Sequence, residues 1–139
     1  MNRRSVTATT GAIISLGLAG VVFAPALLLS TADVGVADYY AAGPIGLSIV
    51  GVIALFDVIV FLSGREGRTD QITVAGLVLV SAAAMTIFSL LWATTITPTL
   101  ISGFTADNAW IAFHRWIVSA GAFAIFVSAA LYTQSVLSL

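Results

Sequence analysis

The sequence predicts an all-α protein: an integral-membrane, antiparallel four-helix bundle running up-down-up-down as a single domain over residues 1–139. Three observations predict it. Hydrophobic residues make up 60% of the 139 residues and charged residues only 8%, against about 25% charged in a soluble domain. The mean hydropathy is +1.11, so lipid must be the solvent over most of the chain. Finally, the apolar residues fall in four stretches, each near the roughly 20 residues a membrane-spanning helix needs.

The first stretch, about Ala8–Ser30, lies inside an uncharged run from Ser5 to Ala32. Pro25 has no N–H to donate, so it should bend this helix and free the carbonyl of Val21. A competing reading takes the N-terminus as a secretory signal: Arg3 and Arg4, an apolar run, then Ala24-Pro25-Ala26. The run is longer than the usual signal core, and proline disfavours cleavage there. The second stretch, about Pro44–Ser63, contains one charge, Asp57. Pro44 is expected in its first turn, where a helix tolerates proline. The third, about Ile72–Ile96, lies inside an uncharged run from Gln71 to Ala106 and is stopped by Pro98. The fourth, about Ala109–Leu137, carries His114 and Arg115 near its start, with Thr105 or Asp107 available to cap it.

The connections are short and rich in turn residues, as expected between antiparallel neighbours. Arg3, Arg4, Arg65 and Arg68 fall on one side of the four spans. The positive-inside rule makes that side cytoplasmic and places both termini there, in a multi-pass protein of the cell membrane. The opposite connections carry Asp33, Asp38 and Asp107, and only Arg115 breaks the pattern. Tyr39, Tyr40, Trp92, Trp110 and Trp116 map near the outer ends of the spans as an interfacial belt.

Small residues at helical spacing mark the faces that pack in lipid. In the second span these are Gly43, Gly46, Val50, Ala54 and Asp57, with Val52, Leu55, Ile59 and Leu62 toward lipid. In the fourth, Ser119, Ala122, Ala129 and Thr133 share a face with Arg115; Gly121, Ser128 and Tyr132 lie beside it, below His114. Trp116, Phe123, Val127 and Leu131 point away. The third span offers Gly76 and Ser81–Ala84, and the first offers Gly11, Ser15, Ala19 and Gly20.

Two polar features need partners. Asp57 lies about six residues, or roughly 9 Å, from the inner end of its predicted span. A charged Asp at a span centre costs about 2.5–3.5 kcal/mol on insertion scales. Ser128, Tyr132, Thr133 and Gln134 of the fourth span are its expected partners, with Arg65 or Arg4 reaching in from the interface. Asp57, Tyr132, Thr133 and Ser128 thus form a candidate intramembrane polar site. It is either a hydrogen-bonded interhelical contact or a proton or cation site. His114 and Arg115 sit near the outer boundary, where Arg115 can pair with Asp33, Asp38 or Asp107. The alternative is an outer anion vestibule with Thr94, Thr95 and Thr97 as donors.

Other chemistry has no footing. There is no Cys, which removes disulfides and thiolate metal sites. A net charge of −1 gives no electrostatic case for nucleic acid. No catalytic signature, phosphate loop or metal-binding motif is present, and one His supplies one ligand. No enzyme activity, cofactor or metal is expected.

In its length, its lack of Lys and Cys, its Arg-only inner loops and its Asp-bearing outer loops, the chain resembles small four-helix membrane proteins of unknown function in haloarchaea. That resemblance implies the fold and no activity. Two functional classes stay open. One is a structural or accessory protein of the bilayer, self-associating or packing into a larger membrane complex. The other is a small transporter or channel component using Asp57.

Overall fold

The computed structural model describes residues 2–28, 34–97 and 110–137. These residues form five helices: α1 (Arg3–Leu28), α2 (Val34–Ala41), α3 (Leu47–Glu66), α4 (Gln71–Thr95) and α5 (Ile111–Leu137). Among the described residues there is no strand. α1, α3, α4 and α5 are long and apolar enough to cross a membrane. α2 has eight residues and lies in the segment read from sequence as a plain connection.

The ends of the helices follow their capping chemistry. α1 begins at Arg3 rather than Ala8 because Asn2 Oδ1 accepts the Ser5 N–H at 2.8 Å, satisfying one of the first-turn donors. α3 begins at Leu47, so Pro44 precedes it and is not in its first turn. Gly43 has φ +77° and Gly46 is extended at φ −66°, ψ 156°, which holds the chain out of helix until there. α3 ends on Gly67 at φ 70°. The Gly67 and Arg68 N–H groups donate to Gly64 O and Ser63 O, the Schellman pattern that favours glycine. Asp70 then caps α4, accepting from both the N–H and the hydroxyl of Thr73 at 3.0 Å. Pro98, Thr105 and Asp107, the expected stop and caps between the last two spans, lie outside the described residues.

The four long helices form a ring in which α1 touches α3 and α5, and α4 touches α3 and α5. α1 and α3 interlock through two glycines. A Cβ on Gly11 would stand 2.5 Å from Phe61 Cζ, and one on Gly51 would stand 2.6 Å from Phe23 Cζ. Each helix therefore seats an aromatic ring of the other against bare backbone, the close approach that small residues allow between helices. α3 meets α4 where Ser81 reaches Asp57 and where Gly64 lies against Val74. α5 meets α1 at Gly121 and Leu18, and meets α4 at Ser119 and Ser89.

The predicted packing faces agree closely. Val50, Ala54 and Asp57 are fully buried, whereas Val52, Leu55, Ile59 and Leu62 are exposed. Ser119, Ala122, Ser128, Ala129 and Tyr132 are buried on α5, and Trp116, Phe123, Val127 and Leu131 are exposed. Gly20 and Gly76 are exposed and meet nothing, so smallness alone did not mark them as contacts, whereas Gly43 lies against Thr95.

Candidate functional site

Three sets of polar side chains lie among the apolar helices. The most elaborate is built around Pro25. Because Pro25 has no N–H, the Val21 carbonyl lacks its normal helical donor. His114, on the first turn of α5, reaches across with Nε2 at 2.5 Å from Val21 O. A carbonyl only accepts, so Nε2 carries the hydrogen. Nδ1 lies 2.7 Å from the Tyr39 hydroxyl, and in the neutral ring it accepts the Tyr39 O–H. Burial pushes the Tyr39 phenol well above its ordinary range, with Tyr40 adding to the effect, so the proton stays on the oxygen.

The next residue pair of α1 is engaged from outside as well. The Ala26 N–H donates to the Tyr40 hydroxyl at 3.1 Å, and that hydroxyl donates to Val22 O at 2.6 Å. The phenol oxygen thus bridges the Ala26 N–H and the Val22 carbonyl. Burial pushes the Tyr40 phenol upward too, and the Ala26 N–H opposes this. Two consecutive carbonyls of α1, Val21 O and Val22 O, therefore accept from side chains of α5 and α2. Trp92 Nε1 closes the arrangement by donating to Tyr39 O at 2.8 Å. The rings of Trp92 and Trp110 meet the His114 ring edge-on, with centroids 6.1 and 6.0 Å away.

His114 is therefore a buried hub, 2% exposed, and not an anchor at the surface. Arg115 points elsewhere. Its Nη1 donates to Ile96 O at 2.9 Å, and its guanidinium lies 5.2 Å from the Trp116 ring centroid. Ile96 is the C-terminal cap of α4, so Arg115 answers the free carbonyls there. Asp38 is exposed, while Asp33 and Asp107 lie outside the described residues. Thr94 and Thr95, expected as vestibule donors, bond to Leu91 O and Trp92 O.

The second set is in the middle of the bundle. α3 runs Leu47–Glu66, so Asp57 stands at its midpoint rather than near one end. It is fully buried. Oδ1 accepts from Ser81 Oγ at 2.5 Å, whereas Oδ2 has no hydrogen-bond partner among the described residues. The residues expected to join it are engaged elsewhere. Ser128 donates to Ala124 O and Thr133 to Ala129 O, while Tyr132 donates to Gln71 Oε1.

The third set lies at the end bearing Arg3 and Arg4. Tyr132 sits edge-on to Phe61, with centroids 6.1 Å apart. Gln134 Oε1 accepts from Arg3 Nη2 at 2.5 Å. Reading α5 alone paired Asp57 with the wrong helix. The available signal was the hairpin: a turn centred on residue 69 places 57 opposite 81. Among the described residues, no group of three or more His, Cys, Asp or Glu is placed to hold a metal ion.

No curated protein and no solved structure matches the chain. Residues 1–137 match DUF7548, a family of unknown function, and the chain belongs to that family.

Proposed function

We propose that this chain is a multi-pass membrane protein with a structural or accessory role, acting as a packing unit in the bilayer. The observation that carries this reading is the use of His114. Both ring nitrogens bond to the protein itself, to Val21 O and the Tyr39 hydroxyl. Its neighbours Tyr40, Trp92 and Arg115 likewise direct donors at backbone carbonyls of other helices. The most distinctive side chains hold helices together rather than face a ligand.

Embedding is supported by where the polar groups lie. Asp57, Ser15, Ser89, Ser119 and His114 are inside, while Ile13, Ile59, Val80, Phe113 and Phe123 are exposed. That is the reverse of a water-soluble bundle. The up-down-up-down course is supported by contacts whose numbers run in opposite senses: 11 with 61 and 51 with 22 between α1 and α3, and 57 with 81 and 64 with 74 between α3 and α4. Arginines at 3, 4, 65 and 68 support cytoplasmic termini. A lysine-free, arginine-only basic set supports the haloarchaeal resemblance.

A second reading, a small transporter or channel component, is favoured by Asp57 Oδ2, buried without a hydrogen-bond partner among the described residues. One experiment separates the two. The protein is purified in mild detergent, sized with its co-purifying partners, and assayed in liposomes for proton and cation flux. The structural reading expects a self-associated species or a defined complex, and no flux. A monomer whose pH- or cation-dependent flux disappears in Asp57→Asn would replace it with the transport reading. Reporters fused at residue 68 and at the C-terminus test orientation, and an external signal from either would refute cytoplasmic termini.

A further inference from the structure

We propose that the hollow at the end of the bundle bearing Arg3 and Arg4 is a binding site for a phosphate group, carried by a lipid headgroup or free in solution. It lies in a part of the molecule that neither role above uses, and it rests on the membrane reading only for the lipid as a source.

The order of the helices makes the hollow. α1 and α4 stand at opposite corners of the ring, each touching α3 and α5. The start of α1, the start of α4 and the last turn of α5 surround a partly open cavity of about 380 Å³, a volume in the range of small-ligand pockets. Its wall is Asn2, Arg3, Arg4, Gln71, Ser135 and Val136. Two of these six are cations and none is an acid.

The arginines are not spent on carboxylates. Arg3 Nη2 donates to the neutral amide oxygen of Gln134 at 2.5 Å. Arg4 is half-buried, and its Nε is buried with no hydrogen-bond partner among the described residues. The acids of the neighbouring turn are engaged elsewhere. Asp70 accepts from the N–H and the hydroxyl of Thr73, and Glu66 borders a separate crevice with Arg68. A buried guanidinium N–H without an acceptor is costly, so the cavity favours a group that brings one.

The hydrogen bonds of the wall give the sign of that group. Each amide oxygen already accepts: Asn2 Oδ1 from the Ser5 N–H, Gln71 Oε1 from the Tyr132 hydroxyl, and Gln134 Oε1 from Arg3. Ser135 gives its hydrogen to Tyr132 O. What is left over is a set of donors, namely the N–H groups of Arg4, those of Arg3 beyond Nη2, and the Asn2 amide nitrogen. Leftover donors select an acceptor-rich anion over a cation. Two oxygens of a phosphate match the fork of a guanidinium. A carboxylate has only those two, whereas a phosphate has oxygens for both arginines and for Asn2. The cavity also lies where the apolar runs end, the level at which headgroups stand and basic pockets between helices take lipid phosphates.

The test uses the full chain in a neutral detergent. Native mass spectrometry counts the lipid retained from micelles containing phosphatidylglycerol or a galactolipid, which lacks phosphate. Thermal unfolding follows titration with each lipid, and with sodium phosphate against sodium chloride at equal ionic strength. Wild type should bind one phosphate group per chain, with a melting temperature that rises to saturation. Arg3→Gln with Arg4→Gln should weaken that binding about tenfold or more, because charged hydrogen bonds are lost. Arg65→Gln with Arg68→Gln removes the same charge from the next turn and should leave it unchanged. Should the first pair fail to fold, Arg4→Gln alone and the wild-type contrast between the two lipids decide. Phosphatidylglycerol held against excess sodium phosphate makes the headgroup the source; phosphatidylglycerol displaced by it makes free phosphate the source, and either result bears out the site. Equal retention of both lipids overturns it, as do equal losses in the two arginine pairs, since the arginines then act as general surface charge. A stability loss in Arg4→Gln that is the same with and without phosphate also overturns it, leaving Arg4 a purely structural contact. Failure of the chain to enter vesicles would sink the membrane reading, while the sodium phosphate titration still reads the cavity.

Discussion

His114 Nε2 donates to the carbonyl of Val21 at 2.5 Å, joining residues 93 apart in sequence. The bond exists because Pro25, one turn further along α1, withholds the hydrogen that would otherwise occupy that carbonyl. Replacing His114 with Ala orphans Val21 O and takes away the ring nitrogen that accepts from the Tyr39 hydroxyl. Each buried unsatisfied group costs about 1–3 kcal/mol. Pro25→Ala supplies a backbone donor to Val21 O and should recover part of that loss only in the His114→Ala background. Thermal unfolding of the four proteins of this cycle in detergent measures the coupling. Strict additivity would show that proline and histidine act independently.

Tyr39 and Tyr40 give the same region an alkaline limit. Burial raises both phenols above the ordinary value, near 10 for tyrosine. A phenol raised on folding contributes stability below about pH 10, and that contribution is lost as pH climbs beyond it. Phenolate absorbance should therefore appear later than in free tyrosine and should accompany loss of the α1–α2–α5 contact. Tyr39→Phe and Tyr40→Phe assign the two steps. Ionisation at the free-tyrosine position would contradict the buried arrangement.

The α1–α3 interface should be far less tolerant than its sequence neighbours suggest. Gly11→Ala drives a methyl into the Phe61 ring, 2.5 Å from its nearest carbon, whereas a Cβ on Gly76 meets nothing within 4 Å. Overpacking of this kind costs about 1–3 kcal/mol. Gly76→Ala should instead gain up to about 1 kcal/mol from helix propensity. Thermal unfolding of both variants checks the contrast, and equal effects would mean that α1 and α3 do not interlock at Gly11.

These contrasts show what a sequence of this kind discloses. The four long helices were legible because a bilayer demands unbroken apolar runs. Their inward faces were legible because Val50, Ala54 and Asp57 recur at helical spacing against Val52, Leu55 and Ile59. The freed Val21 carbonyl was legible from Pro25 alone. Its partner was not, since nothing local to α1 points to a histidine on α5. α2 was missed because eight residues carry too little periodicity to separate a short helix from a turn. Asp57 was placed too near one end because α3 was read three residues early at both ends. That shift also concealed Ser81 as its partner.

Arg115 supplies the last prediction. Its Nη1 bonds to Ile96 O, where α4 ends and its final carbonyls lack helical donors. The cation also sits favourably at the negative end of the helix dipole, and its guanidinium lies over the Trp116 ring. A charged hydrogen bond of this kind contributes about 1.5–3 kcal/mol. Arg115→Met keeps the stem and removes every donor. It should speed amide hydrogen exchange at the last turn of α4 while leaving the middle of that helix unchanged. Arg115→Lys keeps the charge without the fork and should fall between. If Arg115 served only to hold lipid phosphate, exchange in α4 would be unaltered by Arg115→Met, and stability would instead follow the anionic lipid content of the vesicles.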